Sequence, residues 1–596
     1  MTPFLALALA WFAQSAPPPA TSSFKAFSYD SQVLGGARTY RVLVPPSYAR
    51  TRQRYPVVYW LHGVQPDSDA REATFAAYVA SHDLIVVDGG PEEPGGQAPF
   101  YFPELVEQID GTVRTIADRG HRALAGIGPG GFVALLLAGK YPDLVGSVSS
   151  FEGTTEAFTG PDSFPVEYNS DAMFGNYDGV RIRLTRSSAD SLAFYHRRLD
   201  SIWNFTRTAF ESATFLAGRD LQEIGRTLDF HMAAFALPLP KPAVFSHADA
   251  WPNFTVWGWE VVSNRKQPGF TTLENVSNTG FRSSVRQYLP SGATIPEVNL
   301  SIGSPAIYPP GILLTVTYIH LIDGKVRRVD QRVDAHGRLN FDLTGDEWEV
   351  GVSNGPLLAL TGYSITDANW ATAGQPVNLK IRFANKGGAK TGVTLIRWES
   401  PNAGVKFALP AGRLYALAPG ESASLPLTFT VADKDRAIVR LVAISGASRM
   451  AIDVPLYPPA EPSKNFEIAD GRSLTVFEHA TEKSSERFGE GNGDGHAAPG
   501  ETFAVLIPDG GALRAAELFT NDTCVENTMR GADSWNGYDH SGAAAKFSLP
   551  SIHMDCEPGY PVHMLARILI PNGAETHYQY FSVEFPVWYR NQGTIK

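Results

Sequence analysis

Cysteine is nearly absent from this chain: two residues in 596, Cys524 and Cys556, both near the C-terminus. So few cysteines exclude a disulfide-stapled small-domain scaffold, and no second pair exists to complete a zinc site. One disulfide between them is the expected arrangement, two buried thiols being the alternative; such a bond would contribute about 3–4 kcal/mol in the chain-entropy model. A basic excess is also missing, because 50 Lys and Arg face 61 Asp and Glu for a net charge of -11. That balance argues against a phosphate-backbone partner, so no nucleic acid is expected. Charged residues make up only 19% of the chain, whereas 55 Gly and 43 Pro imply many turns, as in β-rich exported proteins. No apolar run approaches the roughly 20 residues of a transmembrane helix. What is present is ordinary globular composition, 43% hydrophobic, over a length that calls for about three to five domains.

The first sixteen residues, MTPFLALALAWFAQSA, carry no charge and hold an apolar run at 4–13. Ala13 and Ser15 are small residues of the kind a signal peptidase reads, and three prolines follow at 17–19. Residues 1–16 are therefore read as a secretory signal peptide, although its start lacks the usual Lys or Arg. The mature chain is expected outside the cytoplasm, secreted, periplasmic or at the cell surface, with no transmembrane anchor.

Residues 24–255 alternate strand and helix patterns. YPVVYWLH at 55–62 is the continuous apolar run of a buried parallel strand, and residues 83–89 repeat the type. Leu105, Ile109, Val113 and Ile116 then recur at helical spacing, a strand follows at 122–126, a helix at 132–140 and another strand at 146–150. This alternation predicts an α/β domain with a mostly parallel sheet covered by helices. After about residue 256 helical periodicity fades into short alternating strands. The expected organisation is a β-rich domain at 256–357, an immunoglobulin-like domain at 358–457, a linker containing PPAEPS at 458–463 and a last β-rich domain at 464–596.

Between the strand at 122–126 and the helix that follows stands Gly126-Ile127-Gly128-Pro129-Gly130. This is the frame of the nucleophile elbow G-x-S-x-G with glycine in place of the serine. The surrounding pieces carry a family likeness: RTYRVLVPPSY at 38–48, YPVVYWLHG at 55–63, Asp88-Gly89-Gly90, and the long stretch at 104–153. Residues 38–155 resemble the esterase D-like putative esterases, which include feruloyl esterases, S-formylglutathione hydrolases and mycolyltransferases. The resemblance implies an α/β-hydrolase fold and carboxylic ester hydrolysis, and it places the family's serine at Gly128. It also implies an acid and a histidine later in the chain. Asp220, in ATFLAGRD, is the acid candidate, with a turn or helix N-cap as the plainer reading. His247, in AVFSHADAW, is the base candidate, with a surface-loop histidine as the plainer reading. Gly63 and Pro129 mark the oxyanion region, whose backbone donors could outlast the serine. Ser147, Ser149 and Ser150 follow the next strand, and none stands on a strand-to-helix turn.

Three features lie outside this likeness. Trp251, Trp257 and Trp259 cluster in WPNFTVWGWEV and are read as buried aromatics, the alternative being an exposed sugar-stacking surface. Phe383 to Gly388 and Leu417 to Glu421 resemble pieces of bacterial cell-adhesion-related immunoglobulin-like modules, implying spacing or protein contact. In GEGNGDG at 489–495, Asn492 and Asp494 with Glu490 and Glu501 form a candidate structural Ca²⁺ loop; a Gly-Asp hairpin turn is the simpler reading. No other cofactor is implied.

The expected function is that of an exported esterase-like protein without its nucleophile, a non-catalytic or weakly active binder of a carbohydrate, an ester-bearing ligand or an envelope protein. The alternatives are an active carboxylesterase or carbohydrate esterase using a displaced nucleophile, and a structural or adhesion surface protein. If the pocket around Gly128 is intact, Gly128→Ser is expected to bring esterase activity.

Overall fold

The computed structural model describes residues 23–63, 67–92, 95–190, 193–206, 210–289, 292–434, 438–446, 448–477, 483–509, 512–526, 550–572 and 575–589. The signal peptide expected at 1–16 lies outside the described residues. Two compact units divide the chain: the first runs up to Gly153 and adds Ala217–Leu239, and the second comprises Thr154–Leu216 and everything from Pro240 onward. The α/β region expected at 24–255 is therefore shared between the units rather than coinciding with one of them.

In the first unit, strands β1 (Lys25–Ser31), β2 (Gly36–Leu43), β3 (Val57–His62), β4 (Ile85–Pro91), β5 (Arg122–Ile127) and β6 (Ser147–Phe151) lie in the order β1-β2-β4-β3-β5-β6. β3 runs parallel to β4 and β5, and β5 parallel to β6, whereas β1–β2 and β2–β4 are antiparallel. The apolar run predicted a strand buried on both faces, and every residue of β3 is buried. Helices α1 (Asp69–Ser81), α2 (Ala98–Thr112) and α3 (Pro129–Lys140) follow strands in turn. Ser68 caps α1 by accepting the Arg71 N–H. The helix expected at 132–140 starts three residues earlier, because Pro129 fits a first helical position, where its missing N–H is not needed.

α4 (Ala193–Thr206) belongs to the second unit and α5 (Asp220–Ala236) to the first. In the first unit, Ile224, Leu228 and Phe235 of α5 join Val58, Trp60, Phe75, Val86 and Ala125 in one core. Each such side chain contributes about 1.5–3 kcal/mol by leaving water.

The second unit opens with the hairpin Glu156–Thr159 and Val166–Asn169, a 3-10 segment at Ser170–Tyr177, and the parallel strands Arg181–Ser187 and Phe210–Phe215. From Phe245 onward it is built of mainly antiparallel sheets, with parallel pairs at Glu461–Pro462 against Phe581–Ser582 and at Val476–Phe477 against Leu513–Arg514. The strand Phe245–Asp249 pairs with Phe270–Ser277 at one end of a six-stranded sheet. Together with a four-stranded sheet it holds a core containing Trp257, Trp259, Phe281 and Phe341. Trp251, Trp257 and Trp259 are all buried, and the Trp259 ring contacts those of Phe281 and Phe341.

Two further four-stranded sheets enclose Phe383, Trp398, Phe429 and Leu441. A last core, around Phe503, Met564 and Phe585, includes Cys524, which is bonded to Cys556 across a Cα separation of 5.6 Å.

Candidate functional site

The turn between β5 and α3 is sharp, and glycines make it so. Gly128 has φ 54° and ψ -123°, a conformation costly for any residue with a side chain. Its N–H donates to the Phe151 carbonyl of β6 at 2.8 Å, and its own carbonyl receives the Gly131 N–H at 2.9 Å. A Cβ on Gly126 would lie 2.1 Å from the Gly130 carbonyl oxygen, and one on Gly130 would lie 2.2 Å from that of Leu61. Both flanking glycines are therefore fixed by backbone-to-backbone approach. At Gly128 itself a Cβ would meet nothing within 4 Å. The frame is close-packed at its two ends and open in the middle, where G-x-S-x-G carries its serine.

The next residue changes the expectation for the oxyanion region. Such a hole takes one N–H from the residue after the nucleophile and another from the loop after the third strand. Pro129 has no N–H. Its ring also packs on Gly63, with Cδ 3.3 Å and Cγ 3.4 Å from where a Gly63 Cβ would be. Gly63 and Pro129 thus lie against each other, but Pro129 can supply no donor. This consequence was readable from sequence, since it requires only the identity of residue 129.

Behind Gly63 lies a buried charged network. His62 at the end of β3 places Nδ1 2.6 Å from the Gly63 carbonyl and Nε2 3.4 Å from Asp88 Oδ1. Asp88 in turn accepts from Arg41 Nε at 2.8 Å and from the Gly90 N–H at 2.9 Å. Burial by itself pulls the His62 pKa down, but the hydrogen bond and charge of Asp88 and the Gly63 carbonyl outweigh it, and the net shift is upward. For Asp88 burial pushes upward, and His62, the Gly90 N–H and Arg41 carry the net shift downward.

The three serines of the next strand have different surroundings. Ser147 and Ser149 place their Oγ atoms 2.8 and 2.9 Å from the two ring nitrogens of the buried His231 on α5. Ser150 Oγ is buried without a hydrogen-bond partner, 2.7 Å from the Cβ position of Gly131. His231 was not singled out from sequence; a lone histidine inside an amphipathic helix gives no signal until the strand it faces is known.

Asp220 is the first residue of α5, in a turn that also holds Glu223, where a negative charge suits the helix N-terminus. His247 lies in the second unit, in the strand Phe245–Asp249. Its Nε2 is 3.4 Å from Asp249 Oδ2, both side chains are buried, and its ring contacts Phe254 at 5.3 Å. The carboxylate beside His247 is thus Asp249, two residues along the same strand, where period-two alternation puts it on the same face. The plainer surface-loop reading of His247 does not hold, since the residue is 2% exposed.

The glycine-rich loop is organised by a residue not anticipated. Buried Asp470 accepts N–H groups from Gly493, Asp494 and Gly495, at 2.9, 3.1 and 2.9 Å from its oxygens. Glu501 accepts from the Asn492 and Ala498 N–H groups, Asn492 donates to Asp494, and Glu490 donates its N–H to Thr502 Oγ1. Among the described residues no group of three or more His, Cys, Asp or Glu could hold a metal ion.

Residues 31–203 match the family model described as "Putative esterase". Two proteins of Mycobacterium tuberculosis, both named as esterases, are 31% identical over 143 residues, which cover 21% of this chain and 31% of theirs. The chain therefore spans about a third of the length of these curated relatives. Solved structures that resemble part of the chain include a ferulic acid esterase from Anaeromyces mucronatus in complex with ferulic acid (20% identity, 36% of this chain and 92% of that one, TM-score 0.29). Another is an S-formylglutathione hydrolase from Staphylococcus aureus (16% identity, 35% and 98%, TM-score 0.28). The chain carries an esterase-like α/β-hydrolase domain.

Proposed function

We propose that this chain is an exported protein whose esterase-like domain does not hydrolyse esters, and that it binds a carbohydrate, an ester-bearing ligand or an envelope protein through its old cleft or its β-rich regions. Its C-terminal β regions act as immunoglobulin-like spacers. The observation that carries this reading is the pair Gly128-Pro129 at the β5–α3 turn. Glycine offers no hydroxyl to form an acyl-enzyme, and proline offers no N–H to the oxyanion. In a triad hydrolase, loss of the nucleophile costs about 10⁶ in kcat, and loss of one oxyanion donor about 10²–10³. Both losses fall here on adjacent residues.

Purified full-length chain should leave p-nitrophenyl acetate and butyrate at the background rate and take up no fluorophosphonate label; turnover blocked by that label would sink the reading. Gly128→Ser meets no neighbouring atom within 4 Å, although its positive φ strains any side chain, and alone it should fall about 10²–10³-fold short of a complete site because Pro129 remains. Gly128→Ser with Pro129→Ala should exceed the single variant by about 10²–10³-fold.

A displaced nucleophile is the second reading, favoured by the unpartnered hydroxyl of Ser150 beside the turn. If the native chain shows ester turnover that Ser150→Ala removes, this reading replaces the first.

A further inference from the structure

The second unit holds a cavity of about 1330 Å³, remote in sequence from the β5–α3 turn. Sites for drug-sized ligands occupy about 300–1,000 Å³, so this one accommodates something longer. Its wall combines aromatic rings with charged side chains, several of which are paired within the protein. Tyr363, Tyr457, Phe519, Tyr578 and Tyr580 all line it, and all are half-buried, so that ring surface remains open. The Tyr457 and Phe519 ring centroids are 4.8 Å apart. Burial pushes the Tyr363 and Tyr457 phenols well above their ordinary pKa, which leaves them neutral donors and acceptors.

The charges argue by elimination. Arg440 is held by both oxygens of Asp453, at 2.8 and 2.9 Å, while Arg286 pairs with Glu347 at 3.0 Å, Arg282 with Glu349 at 3.2 Å and Arg449 with Glu399 at 3.0 Å. Arginines committed in this way do not offer an anion the paired donors it requires. A cationic guest would seek the faces of the aromatic cluster. One face of two of these rings is already met by Arg567, which is not itself a lining residue: its guanidinium stands 4.0 Å from the Tyr578 ring centroid and 5.3 Å from that of Phe519. An apolar guest would leave the Arg440–Asp453 pair against a surface that cannot hydrogen-bond. What fits is an extended neutral molecule with flat apolar faces and many hydroxyls.

We propose that this cavity is a binding site for a neutral oligosaccharide, its sugar rings stacked on the Tyr457–Tyr580 cluster and its hydroxyls bonded to the Arg440–Asp453 pair. The site deepens the proposed binding of a carbohydrate outside the old cleft and rests on that part of the reading, not on the state of Gly128, since every lining residue belongs to the second unit. The test is calorimetric titration of the full-length chain with neutral hexasaccharides of β-linked glucose, xylose and mannose, their sulfated or carboxylated counterparts, and a set of unstructured peptides. At least one neutral hexasaccharide should bind. Tyr457→Ala and Tyr580→Ser should each weaken it about tenfold, equivalent to ~1.4 kcal/mol, while Tyr580→Phe, which keeps the ring, should bind as the native chain does. Gly128→Ser should leave the affinity unchanged, so failure here is separable from failure at the turn. Near-UV circular dichroism identifies variants that retain the fold. No binding by any neutral sugar, preference for charged sugars or peptides, or undiminished binding by a folded Tyr580→Ser chain would overturn the proposal.

Discussion

A single carbon added at Gly130 would lie 2.2 Å from the Leu61 carbonyl oxygen, with no flexible side chain to yield. Gly130→Ala should therefore destabilise the first unit by about 3 kcal/mol, as overpacking does when the backbone must move. Gly128 is the opposite case: its surroundings are open and only its positive φ resists a side chain. Urea unfolding of Gly130→Ala beside Gly128→Ser tests the contrast; equal losses would show that the two positions do not differ in packing. The frame of glycines was legible in the sequence because a turn this tight can be made by few residue types. The role of Pro129 was legible too, through chemistry rather than pattern. The partner of His247 was not, because the pairing with Asp249 depends on which face of a strand each residue occupies.

The ends of β3 and β4 hold a pH-sensitive joint. His62 has a folded pKa above its ordinary 6.5, so its contribution to stability is complete below that value and is lost as pH rises through the shifted one. Asp88 has a folded pKa below its ordinary 3.8, so its contribution is complete above that value and is lost as pH falls through the shifted one. The pair supports the β3–β4 junction most fully between about pH 4 and 6.5. Thermal unfolding followed across about pH 6–8 should show native stability declining and His62→Gln flattening that decline. An unchanged slope in the variant would remove His62 as the cause. Strands β3 to β6 could be anticipated from their apolar runs, usually within two residues. This joint could not, since two ordinary residues 26 positions apart meet only once β3 and β4 lie side by side.

At the scale of the molecule, two devices tie distant sequence together within the second unit. Glu349 accepts from Lys386 Nζ at 2.6 Å and from Arg282 Nε at 3.2 Å, all three buried, and Arg282 also donates to the Leu360 carbonyl. Glu349→Ala removes the carboxylate partner of the buried Lys386 ammonium and leaves Arg282 only the longer pair with Glu274 at 3.7 Å, and should cost about 3–5 kcal/mol, measured by denaturant unfolding. Farther on, the Cys524–Cys556 bond closes a loop with a sequence separation of 32, and replacing both cysteines by serine should lower stability by about 3–4 kcal/mol. A double-serine chain as stable as the native one would count against it. Composition had left only this one pairing open, and the shift from 3.6-residue to two-residue periodicity announced the change from α/β to β architecture near residue 256. The boundary between compact units escaped that reading, because Thr154–Leu216 has the local pattern of the α/β region yet its contacts place it with the later sheets. By itself, then, the sequence determined what each residue can and cannot offer: no hydroxyl at 128, no N–H at 129, one cysteine pair, apolar strands of fixed length. Tertiary structure alone decided which groups meet, at His62–Asp88, at Glu349 and around the tyrosine-lined cavity, because those contacts join residues far apart in the chain whose local patterns carry no trace of one another.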